Sequence, residues 1–229
     1  MLTAIIVAGG SSRRMGFDKL FAVIAGEPVI AHPIRAFERA TAVSEIVIVV
    51  REERHDEIRK ISRDSGFKKV RSIVPGGERR QDSVRAGLDR INHDAKYVAV
   101  HDAARPLITP EQIERAFAQC RVHGAAALAQ PVNDTLKRAD ADLLVTGSVD
   151  RHQLYAMQTP QVFERKLLED AYRAVYAENI LVTDEVSAVE RLGCKVALVL
   201  DDELNLKITY PRDLPLVDFI IRERMKDGG

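Results

Sequence analysis

Short apolar, β-branched runs recur along the chain, and stretches with helical spacing of apolar residues separate them. Apolar runs of about four to eight residues are typical of strands buried on both faces of a parallel sheet. The pattern predicts strands at residues 2–7, 45–50, 70–74, 97–105, 125–132 and 195–200. It predicts helices at residues 29–40, 52–65, 81–91, 109–123 and 211–226. Pro28 precedes the first of these helices, a position that suits a proline at a helix start.

Strands that alternate with helices predict an α/β fold of the Rossmann-like type. We expect an open, mostly parallel sheet with helices on both faces and right-handed crossovers. Ligands bind such sheets beyond the carboxyl ends of the strands. The segments that follow predicted strands are therefore the candidate site, and they are residues 8–19, 75–83, 101–106, 131–137 and 201–207.

Residues 134–151 interrupt this alternation, because they are too polar for a central strand and too rich in β-forming residues for a helix. Two short extended runs around residues 139–142 predict a hairpin. A two-stranded hairpin is marginally stable alone and needs a surface to pack on. We expect a single domain spanning residues 1–229, with a protruding arm at about 134–151.

Composition and charge narrow the kinds of partner. The 229 residues carry 34 basic and 34 acidic side chains, so no global field favours DNA, RNA or an anionic membrane. Any anion site has to be a local cluster. Cys120 and Cys194 form no CxxC pair and are interpreted as reduced thiols. Neither a long apolar span nor a signal peptide is evident, so a cytoplasmic location is expected.

The segment AGGSSRRMGFDK, residues 8–19, follows the first predicted strand. Its glycines allow backbone N–H groups to approach an anion, and Arg13, Arg14 and Lys19 add positive charge. This combination favours a polyphosphate site. The spacing matches neither a Walker loop nor the dinucleotide fingerprint GxGxxG. A simple turn after a strand is the alternative interpretation.

The segment GGERRQDSV, residues 76–84, is a second Gly-Gly loop and leads into a predicted helix. Arg80 and Ser83 are candidates to contact a ligand at the same sheet edge. Asp82 and Ser83 are also residue types that cap helices, so a structural role is the alternative.

HDAARP, residues 101–106, places Asp102 at the end of a strand, where a carboxylate beside phosphates can hold Mg²⁺. Helix capping or ion pairing is the alternative role. His101 and Asp102 are adjacent on an extended strand and point to opposite faces, which argues against a Ser-His-Asp triad. None of the six histidines has the spacing of zinc ligands.

Two later motifs are ambiguous by themselves. Lys207 lies in an alternating apolar stretch, where it is either a solvated edge residue or a ligand for the same phosphates. The motif TDEVS, residues 183–187, is typical of a capped helix start.

Taken together, these motifs resemble the 2-C-methyl-D-erythritol 4-phosphate cytidylyltransferase family of the non-mevalonate isoprenoid pathway. The resemblance rests on AGGSSRRMGFDK, GGERRQDSV and HDAARP, followed by DTLK, VDR, TPQ, TDE and NLK, and it covers nearly the whole chain in order. The first motif is equally similar to molybdenum-cofactor guanylyltransferases, but HDAARP and TPQ decide against them. Ribitol-5-phosphate cytidylyltransferases are closer relatives. Ala104 and Glu185 favour the methylerythritol enzyme over them.

The resemblance implies a reaction in which CTP and the alcohol phosphate methylerythritol phosphate give a CDP-alcohol and pyrophosphate, with Mg²⁺ as cofactor. It implies that the nucleotide contacts Ala8, Gly9, Gly10, Ser12, Arg80, Ser83 and Ala103. It implies catalytic cations at Arg14, Lys19, Arg151 and Lys207. Asp102 would bind the metal.

The resemblance also implies a substrate site built from Asp102, Arg105, Thr135, Arg151, Thr159 and Thr183. In this family the hairpin arm crosses to the second subunit of a homodimer. Thr135 and Arg151 would then serve the partner's active site, and the arm would gain its missing packing surface. Three positions depart from the family pattern: Val7, Ser12 and Glu78 replace a common proline, glycine and aspartate.

The implied chemistry suits this residue set. A phosphate monoester oxygen is already anionic near neutral pH, so the nucleophile needs no general base. Positioning and electrostatic stabilisation supply most of the catalysis. A non-catalytic nucleotide-binding module on the same fold is the alternative from another class. Such a module has no need to combine a metal-binding carboxylate, two phosphate lysines and a second phosphate-binding arm.

Overall fold

A computed structural model describes residues 1–10, 15–200 and 203–227 of the chain. Its strands are β1 (Leu2–Ala8), β2 (Val23–Ile24), β3 (Glu27–Pro28), β4 (Val43–Val50), β5 (Val70–Pro75), β6 (Tyr97–Asp102), β7 (Ala125–Pro131), β8 (Leu136–Ala139), β9 (Val145–Val149), β10 (Tyr155–Glu164) and β11 (Ala197–Leu200). Its α-helices are α1 (Ala31–Arg39), α2 (His55–Asp64), α3 (Arg80–Leu88), α4 (Pro110–His123), α5 (Arg165–Ala177), α6 (Glu185–Glu190) and α7 (Asp213–Asp227).

Seven strands form one central sheet in the order β11-β7-β10-β6-β1-β4-β5. The strand β1 lies in the middle and pairs in parallel with β4 on one side and β6 on the other. The strand β10 alone runs against its neighbours, and it separates β6 from β7. The predicted fold class, a mostly parallel sheet with helices on both faces, is confirmed.

The core has two layers because strand side chains alternate between the faces of the sheet. On one face Ile6 and Ile48 pack with the buried sides of α1, α2, α4 and α7. On the other face Ile5 and Val47 pack with α3, α5 and α6. The apolar runs of β1 and β4 are therefore buried on both sides, as their continuous hydrophobicity predicts.

The start of the first helix was predicted wrongly. Pro28 does not open α1; it belongs to β3, which pairs with β2 in a small hairpin. The reversal occurs at Ala25 and Gly26, both with positive φ (47° and 86°), the backbone that a two-residue hairpin turn requires. The helix begins three residues after Pro28, at Ala31.

Besides the short strands β2 and β3, two longer elements were not predicted, the strand β10 and the helix α5. The strand contains Gln158, Thr159 and Gln161, whose polar side chains are buried, so it lacks an apolar run. The helix α5 does carry helical spacing, with Leu168, Tyr172 and Val175 among its buried residues. Together they fill the gap that the sequence pattern left between the arm and α6.

The hairpin predicted within residues 134–151 is present as the antiparallel pair β8 and β9. Residues 134–151 include no buried position. Its tip exposes three consecutive apolar side chains, Leu143, Leu144 and Val145, with Leu143 exposed by 84%.

No helix within the described ranges is long and apolar enough to cross a membrane.

Candidate active site

A cavity of about 720 Å³ opens at the carboxyl ends of β1 and β6. Four of the five segments singled out in the sequence contribute to its lining; residues 131–137 do not. The predicted site residues that line it are Ala8, Gly9, Gly10, Lys19, Arg80, Ser83, Asp102 and Lys207. The topology explains this convergence, since the carboxyl ends of neighbouring parallel strands meet at one sheet edge.

The two glycine loops meet at the hydroxyl of Ser83. A Cβ at Gly9 would lie 3.1 Å from Ser83 Oγ, and a Cβ at Gly76 would lie 2.9 Å from it. The Ser83 hydroxyl accepts the N–H of Gly77 at 3.2 Å. Both glycines thus allow close packing of the loops, whereas Gly10 has open space around it and is exposed. Gly10 therefore offers the accessible backbone that the phosphate interpretation needs.

The start of α3 is capped by Asp82. Its carboxylate accepts the backbone N–H of Arg79 at 3.1 Å and two bonds from the Arg79 guanidinium at 2.9 Å. The hydrogen bonds from Arg79 lower the pKa of Asp82 to about 2. The structural alternative therefore holds for Asp82, which stabilises the helix start.

Asp102, the last residue of β6, is held between two cations. Its Oδ1 accepts from Arg80 Nε and NH2 at 3.3 and 3.2 Å, and its Oδ2 accepts from Lys207 Nζ at 2.6 Å. Burial alone would raise the pKa of this carboxyl, but the charges of Arg80 and Lys207 hold it below its ordinary value. Asp102 is thus ionised at neutral pH and directs a negative charge into the cavity.

Behind Arg80 lies Glu185, a fully buried carboxylate that the sequence analysis used only to compare families. Its oxygens accept from Arg80 NH1 at 2.7 Å and NH2 at 2.9 Å, and the Tyr172 hydroxyl donates to it at 2.9 Å. Burial lowers the pKa of Arg80, but the charges of Glu185 and Asp102 raise it by more, so the net shift is upward. The helical spacing of α5 was the available signal for Tyr172; nothing in the pattern indicated that Glu185 would be buried.

Lys19 and Lys207 come together although they are far apart in sequence. Lys19 Nζ donates to the carbonyl of Ile208 at 2.6 Å, directly beside Lys207. The N–H of Ile208 donates to the carbonyl of Ala104 at 2.8 Å, which fixes this segment against the end of β6. Two ammonium groups therefore share one side of the cavity with Asp102.

His101 supports the end of β6 from the opposite face of the sheet. Its Nδ1 bonds the Thr159 hydroxyl at 3.1 Å and its Nε2 bonds the Arg105 carbonyl at 3.2 Å. The Thr159 hydroxyl in turn accepts the N–H of Asp102 at 3.0 Å. Burial lowers the pKa of His101 to about 4, so the ring is neutral at pH 7. Thr159 does not line the cavity, and its hydroxyl is engaged with the strand that carries Asp102.

Two further predicted residues lie beside the cavity rather than in its lining. Ala103 is buried, and its N–H donates to the carbonyl of Val7 at 3.0 Å. The guanidinium of Arg105 donates from NH1 to the carbonyl of Asn205 at 2.7 Å, while its buried Nε has no partner among the described atoms. Burial lowers the pKa of Arg105 below its ordinary value.

The remaining substrate residues are not brought to this cavity within the chain. Thr135 and Arg151 are exposed on the arm, and the Arg151 guanidinium donates to the carbonyl of Asn133. Thr183 is exposed beside the start of α6, which Asp184 caps through the N–H of Ser187 at 2.9 Å. Ser12, Arg13 and Arg14 lie outside the described residues.

Within residues 1–10, 15–200 and 203–227, no group of three or more His, Cys, Asp or Glu side chains is placed to hold a metal ion. Mg²⁺ is commonly bound through one or two carboxylates together with phosphate oxygens of the substrate. Asp102 fits that kind of partial site, because it is ionised and faces the cavity.

Comparison with known proteins points in one direction. The family model "IspD: 2-C-methyl-D-erythritol 4-phosphate cytidylyltransferase" matches residues 2–223. A protein of that name from Caldanaerobacter subterraneus subsp. tengcongensis is 40% identical over 225 residues, covering 97% of this chain and 99% of the relative. Another from Dehalococcoides mccartyi (strain CBDB1) is 37% identical and covers 96% of both.

The fold agrees with this. A crystal structure of 4-diphosphocytidyl-2C-methyl-D-erythritol synthase from Anaerococcus prevotii superposes with a TM-score of 0.85 at 28% identity. The match covers 97% of this chain and 96% of that one.

Proposed function

Because the chain belongs to the 2-C-methyl-D-erythritol 4-phosphate cytidylyltransferase family and catalyses CTP-dependent cytidylyl transfer in isoprenoid biosynthesis, we propose that the transfer takes place in the cavity at the ends of β1 and β6. A phosphate oxygen of the alcohol phosphate bonds to the α-phosphorus of CTP. The bond from that phosphorus to the α–β bridging oxygen breaks, and pyrophosphate leaves with the electron pair. Family membership decides against the guanylyltransferase, ribitol-phosphate and non-catalytic alternatives.

The observation that carries the assignment is the pair of lysines beside Asp102. Lys19 and Lys207 line the same cavity, and each ammonium lies 2.6 Å from an oxygen at this edge of the sheet. Two polyanions must meet for the reaction, so the catalytic problem is repulsion and charge build-up at phosphorus. Fixed cations at the site of charge development reduce both.

The residues around the cavity hold substrates and move no proton. The exposed backbone at Gly10 is proposed to donate to phosphate oxygens, and Arg14 of the same loop is proposed to add positive charge. Lys207 is 42% exposed on a flexible stem, so its ammonium can turn from Asp102 to a phosphate oxygen. Arg105 lies beside the cavity lining, and its Nε, which has no partner among the described atoms, is proposed as a further donor to the alcohol phosphate.

Asp102 is proposed to hold Mg²⁺ together with substrate phosphate oxygens. When bound, the ion would neutralise charge on the triphosphate and withdraw electrons from the phosphorus. Support comes from the ionised state of Asp102 and from its Oδ2, whose partner Lys207 is partly exposed and exchangeable.

The arm is proposed to complete the site of a second copy in a homodimer. Residues 134–151 include no buried position, yet the tip presents Leu143, Leu144 and Val145. An apolar tip of this kind is suited to a protein surface. Arg151 and Thr135 would then contact the alcohol phosphate bound by the partner.

The single-domain organisation over residues 1–229 and the cytoplasmic location stay predictions.

Replacing each cavity lysine tests the assignment. Removing one donor to transition-state charge typically lowers turnover on the order of a hundredfold. We expect Lys19→Ala and Lys207→Ala to lower kcat by about that factor in a pyrophosphate-release assay, with the thermal unfolding midpoint unchanged.

The matched control is Lys166→Ala on α5, an exposed lysine paired with Asp170 outside the cavity. It should retain wild-type kcat, since exposed ion pairs contribute little. Near-normal kcat in Lys207→Ala would return that residue to the role of a solvated edge lysine and remove the main support for the site.

A further inference from the structure

Glu185 is fully buried behind the cavity wall and is not among the residues that line the cavity. We infer that Glu185 is a positioning residue for cytidylyl transfer: it fixes the Arg80 guanidinium, which in turn fixes Oδ1 of Asp102 and leaves Oδ2 as the exchangeable oxygen. The inference rests on the proposed placement of Asp102 and Lys207 at the reacting phosphates.

Every group around Glu185 restricts it. Both carboxylate oxygens accept from Arg80, at 2.7 and 2.9 Å, in the two-pronged geometry that orients a guanidinium most strictly. Tyr172 donates to the same carboxylate from α5 at 2.9 Å. The side-chain oxygen of Gln161 accepts the backbone N–H groups of Glu185 and Val186 at 3.1 Å each. Glu185 is therefore bonded to α5 and to β10 as well as to Arg80.

Arg80 is the bridge between two carboxylates. Its NH2 donates to Glu185 at 2.9 Å and to Asp102 at 3.2 Å, and its Nε donates to Asp102 at 3.3 Å. A planar guanidinium can span both carboxylates only in one plane, which a lysine ammonium cannot do. By orienting the Arg80 guanidinium, Glu185 thus also determines the position of the Asp102 carboxylate.

The two oxygens of Asp102 differ in what holds them. Oδ1 faces Arg80, which is held from both ends and is 26% exposed. Oδ2 faces Lys207, whose stem is flexible and 42% exposed. When substrates enter, Lys207 is the partner that can leave, so Oδ2 is the oxygen presented to a metal ion or to incoming groups.

Arg80 lines the cavity, and the charge of Glu185 also weakens its attraction for the substrate phosphates. The Arg80 guanidinium keeps its charge, but the carboxylates on each side offset it, so it attracts a triphosphate less strongly than an unpaired arginine would. Without Glu185, Arg80 would become an additional phosphate ligand and would leave Asp102. Binding of CTP and turnover should therefore change in opposite directions, which loss of folded protein cannot produce.

The test is Glu185→Gln, which keeps the shape and removes the charge. We expect kcat to fall by about tenfold while the Kd for CTP, measured by calorimetry, becomes up to about threefold tighter. The calorimetric stoichiometry gives the fraction of folded sites. The control Glu169→Gln removes an exposed carboxylate on α5 that pairs with Arg165 outside the cavity, and it should match wild type.

A second variant keeps the test decisive if Glu185→Gln does not fold. Arg80→Lys retains the positive charge but cannot span both carboxylates, and we expect about a tenfold lower kcat. The double variant should be no slower than Arg80→Lys alone, since Glu185 acts only through Arg80.

Three results would overturn the inference: a kcat within about twofold of wild type in either single variant, CTP binding weakened in parallel with kcat, or losses that multiply in the double variant. Its failure is distinguishable from failure of the proposed site. If Lys207→Ala is inactive while Glu185→Gln is normal, only the positioning role is wrong.

Discussion

The charged cluster at the end of β6 and the arm at residues 134–151 are both proposed to handle phosphate, yet the chain treats them in opposite ways. In the cluster, Asp102, Arg80 and Glu185 are bonded to one another below the surface. On the arm, Arg151 is exposed and donates to the nearby carbonyl of Asn133. The cluster is bonded together within one chain, whereas the arm includes no buried position and is proposed to need a second copy.

The comparison shows how one fold combines buried, mutually bonded charged side chains with exposed ones. Breaking a buried ion pair, such as that of Arg80 and Glu185, is strongly destabilising, and the intact pair fixes the geometry of both side chains. Ion pairs of exposed side chains contribute little to stability, so such side chains are available to bind a ligand or a partner. Variants in or next to the cluster should therefore change both turnover and the pH-dependent stability of the chain. Variants in the arm should change only assembly and turnover.

The largest expected effect is on the pH dependence of stability, through His101 beneath the cluster. Its pKa is about 4 in the folded chain against 6.5 as the ordinary value, so the neutral ring's contribution is complete above pH 6.5. That contribution declines as the pH falls from 6.5 towards 4, because the unfolded chain takes up the proton first. The loss amounts to about 3 kcal/mol.

Urea unfolding of wild type and His101→Gln at several pH values measures this effect. The difference between their free energies of unfolding should shrink by up to about 3 kcal/mol between pH 7 and pH 4. A difference that does not change with pH would mean that His101 titrates normally in the folded chain.

The next effect sharpens the contrast, because it tests whether the arm serves another chain. Arg151→Ala and Lys19→Ala should each be nearly inactive alone. In mixed dimers with exchanged arms, one site carries both defects and the other carries neither. Random assortment then restores activity to about a quarter of wild type, since half the dimers are mixed and half their sites are intact.

Exchange of subunits must be shown independently, for example by native mass spectrometry of differently tagged chains. If exchange occurs and activity stays flat, Arg151 acts within its own subunit and the arm is no longer a shared part of the site.

The smallest effect is on the stability of the single chain. Leu144→Ser at the exposed arm tip should change the free energy of unfolding of the monomer by less than about 0.5 kcal/mol. It should nevertheless raise the concentration at which dimers dissociate, measured by sedimentation. The contrasting variant Leu168→Ala removes a fully buried side chain of α5 and should lower stability by about 2–5 kcal/mol. A comparable loss in Leu144→Ser would show that the tip packs on its own chain.

Much of the fold was predictable where hydrophobicity alone decides structure. The strands β1 and β4 are continuous apolar runs, and their burial on both faces follows from the parallel sheet they form. The cavity-lining residues Lys19, Asp102 and Lys207 were found because loops after parallel strands share one edge. These inferences needed only local pattern and topology.

The rest depended on contacts that pattern does not encode. The strand β10 is stabilised by buried polar side chains such as Gln161, which bonds the backbone of Glu185 and Val186. The sequence of such a polar strand cannot be told from that of a loop unless its hydrogen-bond partners are known. Likewise, the burial of Glu185 follows from the position of Arg80, more than a hundred residues away in the chain. The conformation at Pro28 depended on a turn at Ala25 and Gly26 that only backbone angles reveal.

The position of β10 in the sheet has a mechanical consequence. The arm leaves from β7 and returns through β10, and the two strands pair from Tyr155 and Pro131 onward. The same β10 carries Thr159, whose hydroxyl holds the N–H of Asp102. The arm is therefore joined at both ends to paired strands of the central sheet and is not attached through a loose linker. If two copies associate through their arms, the paired strands β7 and β10 would fix the distance and orientation between the two active sites.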